Sequence, residues 1–146
     1  MTIISTHPKM LHEILDVINK QDDVVSALRA CLHIHFVRQY LNIAISEEWS
    51  TIDIEKTETK DYNYHISMAG AFLLNRHTFK VVSEIIMNKD VVNSAKTIQY
   101  KALMEMLYIK EAHILNAILT KNLTSLYPRI TFSALNNALS YNKINT

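Results

Sequence analysis

The chain predicts an all-α fold: a compact single-domain bundle of six to seven short helices with one irregular acidic loop at about 46–64. Three observations predict it. Apolar residues recur at helical spacing, most clearly from Ser94 to Ser140, which reads as three helices joined by two short connections. Gly70 is the sole glycine, and hairpin turns draw on glycine for positive φ, so an all-β arrangement is disfavoured. A chain of 146 residues, 49% apolar and 20% charged, can bury one core without metal or disulfide staples.

Thr6 or His7 is expected to start the first helix, with Pro8 in the first turn, where a missing N–H costs nothing. Its stripe is Met10, Leu11, Ile14, Leu15 and Ile18, and it closes near Asn19. Asp22 or Asp23 caps a second helix through Val24, Val25, Leu28 and Leu32. The pattern runs on through Phe36, Val37, Tyr40, Leu41 and Ile45, either unbroken or with a break at His33 to His35. From Ser46 to Tyr64 the periodicity fails and acids outnumber Lys56 and Lys60; such a loop is either functional or a solvated connection.

Spacing predicts a helix again at Ile66, Met68, Ala69, Phe72, Leu73 and Leu74. Thr78 is expected to cap the next, which buries Val81, Val82, Ile85, Ile86 and Met87. Ser94 should cap a helix through Ile98, Leu103, Met106 and Leu107, and Lys110 and Glu111 should open another, with Ala112, Ile114, Leu115, Ile118 and Leu119 inward. Thr131 caps the last, through Phe132, Leu135, Ala138 and Leu139. With one glycine available, helix ends are expected at asparagines: Asn19, Asn75, Asn88 and Asn122.

Cys31 is the only cysteine, which excludes an intrachain disulfide. Its neighbours Ala30 and Leu32 suggest a buried thiol in a reducing compartment, the cytoplasm by default. No apolar run approaches the roughly 20 residues that span a bilayer, and MTIISTHPKM lacks the pattern of a secretion signal. A formal net charge of +1 gives no bulk attraction to nucleic acid. It also leaves little repulsion between copies, which favours a homo-oligomer.

Of the seven histidines, His33 and His35 are the best local pair, but on a helix i and i+2 point about 200° apart. HExxH is absent, as are the paired Glu-x-x-His repeats of di-iron bundles, so no metal ligand set is expected. A Cys31–His33 or Cys31–His35 nucleophile lacks an orienting third group. There is no GxxxxGK[ST], GxGxxG or GxSxG, so no catalytic residue and no cofactor site is assigned. An interaction protein is therefore expected, not an enzyme. Trp49, Tyr62, Tyr64 and Tyr127 are the candidates for contact with a protein partner.

The alternative is association with nucleic acid through the basic stretch 76–121, with Arg76, Lys80, Lys96 and Lys101 as its contact residues. The last two helices would then be a helix-turn-helix. Their recognition candidate, TFSALNNALS, carries no Lys or Arg and offers only Asn136 and Asn137 to base edges.

The C-terminal third carries Met106-Leu107, Lys110-Glu111-Ala112, Leu115, Lys121-Asn122-Leu123, Leu126-Tyr127-Pro128 and Ile130-Thr131 before a final apolar helix. With Leu11-His12-Glu13-Ile14 and Ala27-Leu28-Arg29, this pattern resembles a small all-helical family of large virulent tailed bacteriophages. The resemblance covers about half the chain and is a packing pattern. It implies a phage protein in the bacterial host cytoplasm and brings no activity; taken with the missing catalytic motifs and the apolar stripes, it leads to the expectation of a protein that binds or modulates a host or phage macromolecule. The segment around Trp49 to Tyr64 departs from the family, which tends to carry a proline there.

Overall fold

The computed structural model describes residues 10–46, 62–87 and 92–144, which form seven α-helices, one short 3-10 turn and no β-strand. The expected start at Thr6 or His7, the acidic residues 47–61 and Asn88 lie outside the described residues. The helices are α1 (Leu11–Asn19), α2 (Val24–Cys31), α3 (His35–Ile45), α4 (Arg76–Met87), α5 (Asn93–Met106), α6 (Ile109–Leu119) and α7 (Phe132–Ile144). The 3-10 turn, Leu123–Ser125, follows α6.

The fold is built around α6. Ala112, Ile114, Leu115, Ala117, Ile118 and Leu119 are all buried, so apolar side chains leave this helix on almost every side. A helix of that kind has to be central. It packs against α1 and α3, while α7 packs against α2 and α3. α4 leans on α3 and on α5. Buried hydroxyls find partners between these layers: Tyr40 donates to the Asn75 carbonyl (3.0 Å) and Tyr100 to Asn116 Oδ1 (2.9 Å).

Local chemistry sets several helix ends where the sequence predicts them. Asp23 Oδ1 accepts from the Ser26 amide (3.1 Å), and that backbone hydrogen bond, ahead of the Ser26 hydroxyl, holds its carboxyl below the ordinary value. Thr131 Oγ1 accepts from the Ala134 amide (3.1 Å) at the start of α7. α2 and α3 are separate helices, broken between Cys31 and His35. Arg129 locks the α1–α2 turn: its guanidinium donates to the carbonyls of Asn19 (3.2 Å) and Asp22 (3.0 Å).

α1 begins at Leu11 behind an extended Met10. Three expectations need correction. α4 begins at Arg76, capped by Asn75 instead of Thr78, because Asn75 Oδ1 is placed to accept the Thr78 amide (3.0 Å). α5 begins at Asn93, one residue ahead of Ser94, and its N-cap Val92 has no side-chain hydrogen bond to give. After α6 it is Lys121, not Asn122, that takes the left-handed conformation (φ 58°). Its ammonium donates to the Ile43 carbonyl, which ties that strained turn to the end of α3.

The helix expected from Ile66 to Leu74 does not form. Gly70 adopts φ +77° and interrupts it, and the chain runs in turns and extended pieces from Tyr62 to Asn75. Leu107 and Tyr108, the break between α5 and α6, are also extended, and the two segments pair. Phe72 N–H donates to the Met106 carbonyl (2.8 Å) and Tyr108 N–H to the Phe72 carbonyl (2.9 Å). His65 N–H donates to the Leu107 carbonyl (3.3 Å) and Ile109 N–H to the His65 carbonyl (2.8 Å). These isolated bridges satisfy backbone groups that neither flanking helix can serve.

Candidate functional site

Where α4 and α5 separate, a cleft of about 670 Å³ opens, and residues 71–75 close its third side. From α4 come His77, Thr78, Val81 and Ile85, residues on adjacent turns of one face. From α5 come Gln99, Ala102, Leu103 and Met106, again one face. Phe72 and Leu73 are the apolar part of the wall. No Asp, Glu, Lys or Arg lines the cleft.

The wall is fixed by its backbone, residue by residue. Phe72 is held at both its amide and its carbonyl by the pairing with Met106 and Tyr108. The Leu73 carbonyl accepts from Thr78 Oγ1 (2.6 Å), the Leu74 amide donates to Glu111 Oε1 (3.1 Å), and the Asn75 carbonyl accepts from Tyr40. At the far end of α4, Lys96 reaches back from α5 and donates to the Ile86 carbonyl (3.3 Å). A cation on the last turn suits both the orphan carbonyl and the helix dipole. The cleft is therefore preformed.

Glu111 is the anchor of this construction. Its side chain is 0% exposed. One oxygen takes the Leu74 amide; the other takes the backbone amide of His12 (2.9 Å) and lies 3.3 Å from His12 Nδ1. Burial raises its carboxyl above the ordinary value, while His12 and the two amides pull the other way. The His12 ring is tilted against Tyr108 with centroids 5.5 Å apart, and Tyr127 Oη donates to the His12 carbonyl (3.4 Å).

Apolar exposure continues beyond the cleft. Phe72, Val81 and Met106 are each about half exposed, Ile98 is 71% exposed on the outer side of α5, and Ile66 is 84% exposed on the adjoining segment with Met68. Phe72, Val81 and Met106 share the cleft lining, and a grouped apolar exposure of that kind marks an interaction site.

The residues singled out from the sequence fall elsewhere. Trp49 lies outside the described residues. Tyr62 is buried and Tyr64 half-buried, their rings 6.0 Å apart, with Tyr64 packed on His113 (5.2 Å). Tyr127, also a candidate for partner contact, is buried, and its hydroxyl donates to the His12 carbonyl of α1. Arg76 and Lys80 stand one turn apart on α4, and Lys96 and Lys101 lie on α5, where only Lys101 is exposed. Lys96 is 6% exposed and spent on the end of α4, whereas the Lys101 ammonium sits 5.8 Å over the Tyr62 ring. Arg76 and Lys80 are exposed on α4.

Of the residues that build the cleft, sequence reasoning missed the wall altogether. The available signal was Gly70, which argued against a helix through Phe72. Cys31 is buried, and burial pushes its thiol up to about 11, the opposite of an activated nucleophile. Among the described residues no three His, Cys, Asp or Glu side chains come together as a metal site, and no helix is long and apolar enough to cross a membrane. No protein-family model, no curated protein and no solved structure matches the chain.

Proposed function

We propose that this chain acts by recognition, not bond-making, as an interaction protein that seats an apolar segment of a protein partner on the α4–α5 cleft. One observation carries the reading: an uncharged apolar cleft whose wall is fixed by its backbone before any partner arrives. Preorganisation of this kind lowers the ordering cost of association. The exposed apolar side chains Phe72, Val81 and Met106 of the cleft lining offer the kind of surface a macromolecular contact uses. The phage resemblance would place that partner, of host or phage origin, in the bacterial cytoplasm.

The test is a cleft-filling substitution on a solvent-facing position. Ala102 is exposed, so Ala102→Trp should fold while occupying the cleft. Wild-type and A102W protein are immobilised and exposed to extracts of infected bacteria, and each is weighed by light scattering. A partner retained by the wild type and lost from A102W is expected; if the partner is a second copy, the wild-type mass doubles and A102W stays monomeric. Identical retention and identical mass for both would refute the reading.

A further inference from the structure

We infer that the α4–α5 cleft also takes up a small, uncharged, largely apolar molecule with one hydrogen-bonding end. The site is shared with the partner reading above, but the inference needs no partner. Size comes first. The volume of about 670 Å³ falls inside the range of roughly 300–1,000 Å³ typical of small-molecule sites. From His77 to Ile85 the cleft follows α4 for about 12 Å of helix rise, room for one or two rings and not for a long chain.

Charge narrows the class. With no Asp, Glu, Lys or Arg in the lining, an ionised ligand group would lose its hydration and meet no permanent counter-charge. Hydrogen bonding narrows it further. Asn75 Oδ1 and the Thr78 hydroxyl are already committed to the start of α4. The side chains of His77 and Gln99 line the same cleft, and neither side chain hydrogen-bonds another described residue. They are the side chains left to meet one polar end, while Phe72, Val81 and Met106 cover the apolar body.

The probe is 2-naphthol, neutral at neutral pH, against its anionic analogue 2-naphthoate and the handle-free naphthalene. All are titrated into the full chain and followed at the methionine methyls by NMR. A saturable shift of the Met106 methyl is expected with 2-naphthol, with affinity for 2-naphthoate lower by about tenfold or more. A102W should abolish the shift. The double substitution His77→Ala, Gln99→Ala should weaken 2-naphthol by about fivefold and leave naphthalene unchanged. No saturable response at Met106, equal affinity for the anion, full affinity in A102W, or indifference of 2-naphthol to the double substitution would each overturn the inference. Protein that binds 2-naphthol but retains no partner removes only the partner reading, and the reverse result removes only this one.

Discussion

The backbone N–H of His12 donates a 2.9 Å hydrogen bond to Oε2 of Glu111, 99 residues further along the chain. Met10 at the head of α1 makes no side-chain cap, so Glu111 does from α6 what a capping residue usually does locally. The second oxygen accepts the Leu74 amide at 3.1 Å. One carboxylate therefore joins α1, α6 and the cleft wall.

A carboxylate can accept at both oxygens, whereas an amide accepts at one and presents N–H at the other. Glu111→Gln should therefore set a donor against a buried donor and cost about 2 kcal/mol at neutral pH. Glu111→Leu strands both amides and should cost about 3 kcal/mol or more. Urea unfolding would register both as lower midpoints at unchanged slope. Wild-type midpoints in these variants would mean that the two amides are satisfied elsewhere.

The pH dependence has a definite sign. The folded Glu111 carboxyl lies above its ordinary 4.5 because of burial, so between 4.5 and that raised value the folded chain keeps a proton the unfolded chain has lost. Its contribution is complete below 4.5 and is lost as pH rises through the folded value. The advantage of wild type over Glu111→Leu, which carries no titrating group at that position, should accordingly be larger in acid and shrink as pH rises through the folded value. Asp23, held low by the Ser26 amide, works in the opposite sense, and its contribution is lost as pH falls below 3.8. Urea midpoints across a pH series for both proteins check this; an advantage that grows with pH would be the wrong sign.

Two lysines five residues apart should respond differently to charge reversal. Lys96 is buried against the Ile86 carbonyl, so Lys96→Glu puts an unpaired anion beside an acceptor and should cost about 3 kcal/mol. Lys101 is exposed over Tyr62, and Lys101→Glu should cost about 0.5 kcal/mol. Thermal melts separate the two. Equal, small effects would put Lys96 on the surface.

Cys31 is fully buried with its thiol pushed up to about 11. An aromatic disulfide reagent should leave the native protein unlabelled and modify one thiol per chain in denaturant. Rapid labelling of the folded protein would contradict the packing of α2.

What was legible in the residues was local. Asp23 and Thr131 bond amides three residues on, so their caps could be read from spacing alone. The stripes of α1, α2, α3 and α6 point inward as their periodicity predicts. Glu111 could not be placed, since a charged residue reads as solvated and its two donors come from distant segments. Ile66, Met68 and Phe72 have the apolar spacing of a helix, but Gly70 breaks the segment and leaves their side chains exposed. Lys96 shows the converse, a basic residue hidden because a helix end needed a donor.

Amide hydrogen exchange at Phe72 and Leu74 bears on the preformed cleft without requiring any ligand. Both amides are bonded, Phe72 to the Met106 carbonyl at the cleft edge and Leu74 to the buried Glu111 carboxylate. In wild-type protein both should exchange more slowly than an open loop, Leu74 the more slowly of the two, and Leu74 should lose its protection in Glu111→Leu. If they exchange in the native protein as fast as an open loop, the wall is not fixed and the cleft is not a standing feature of this fold.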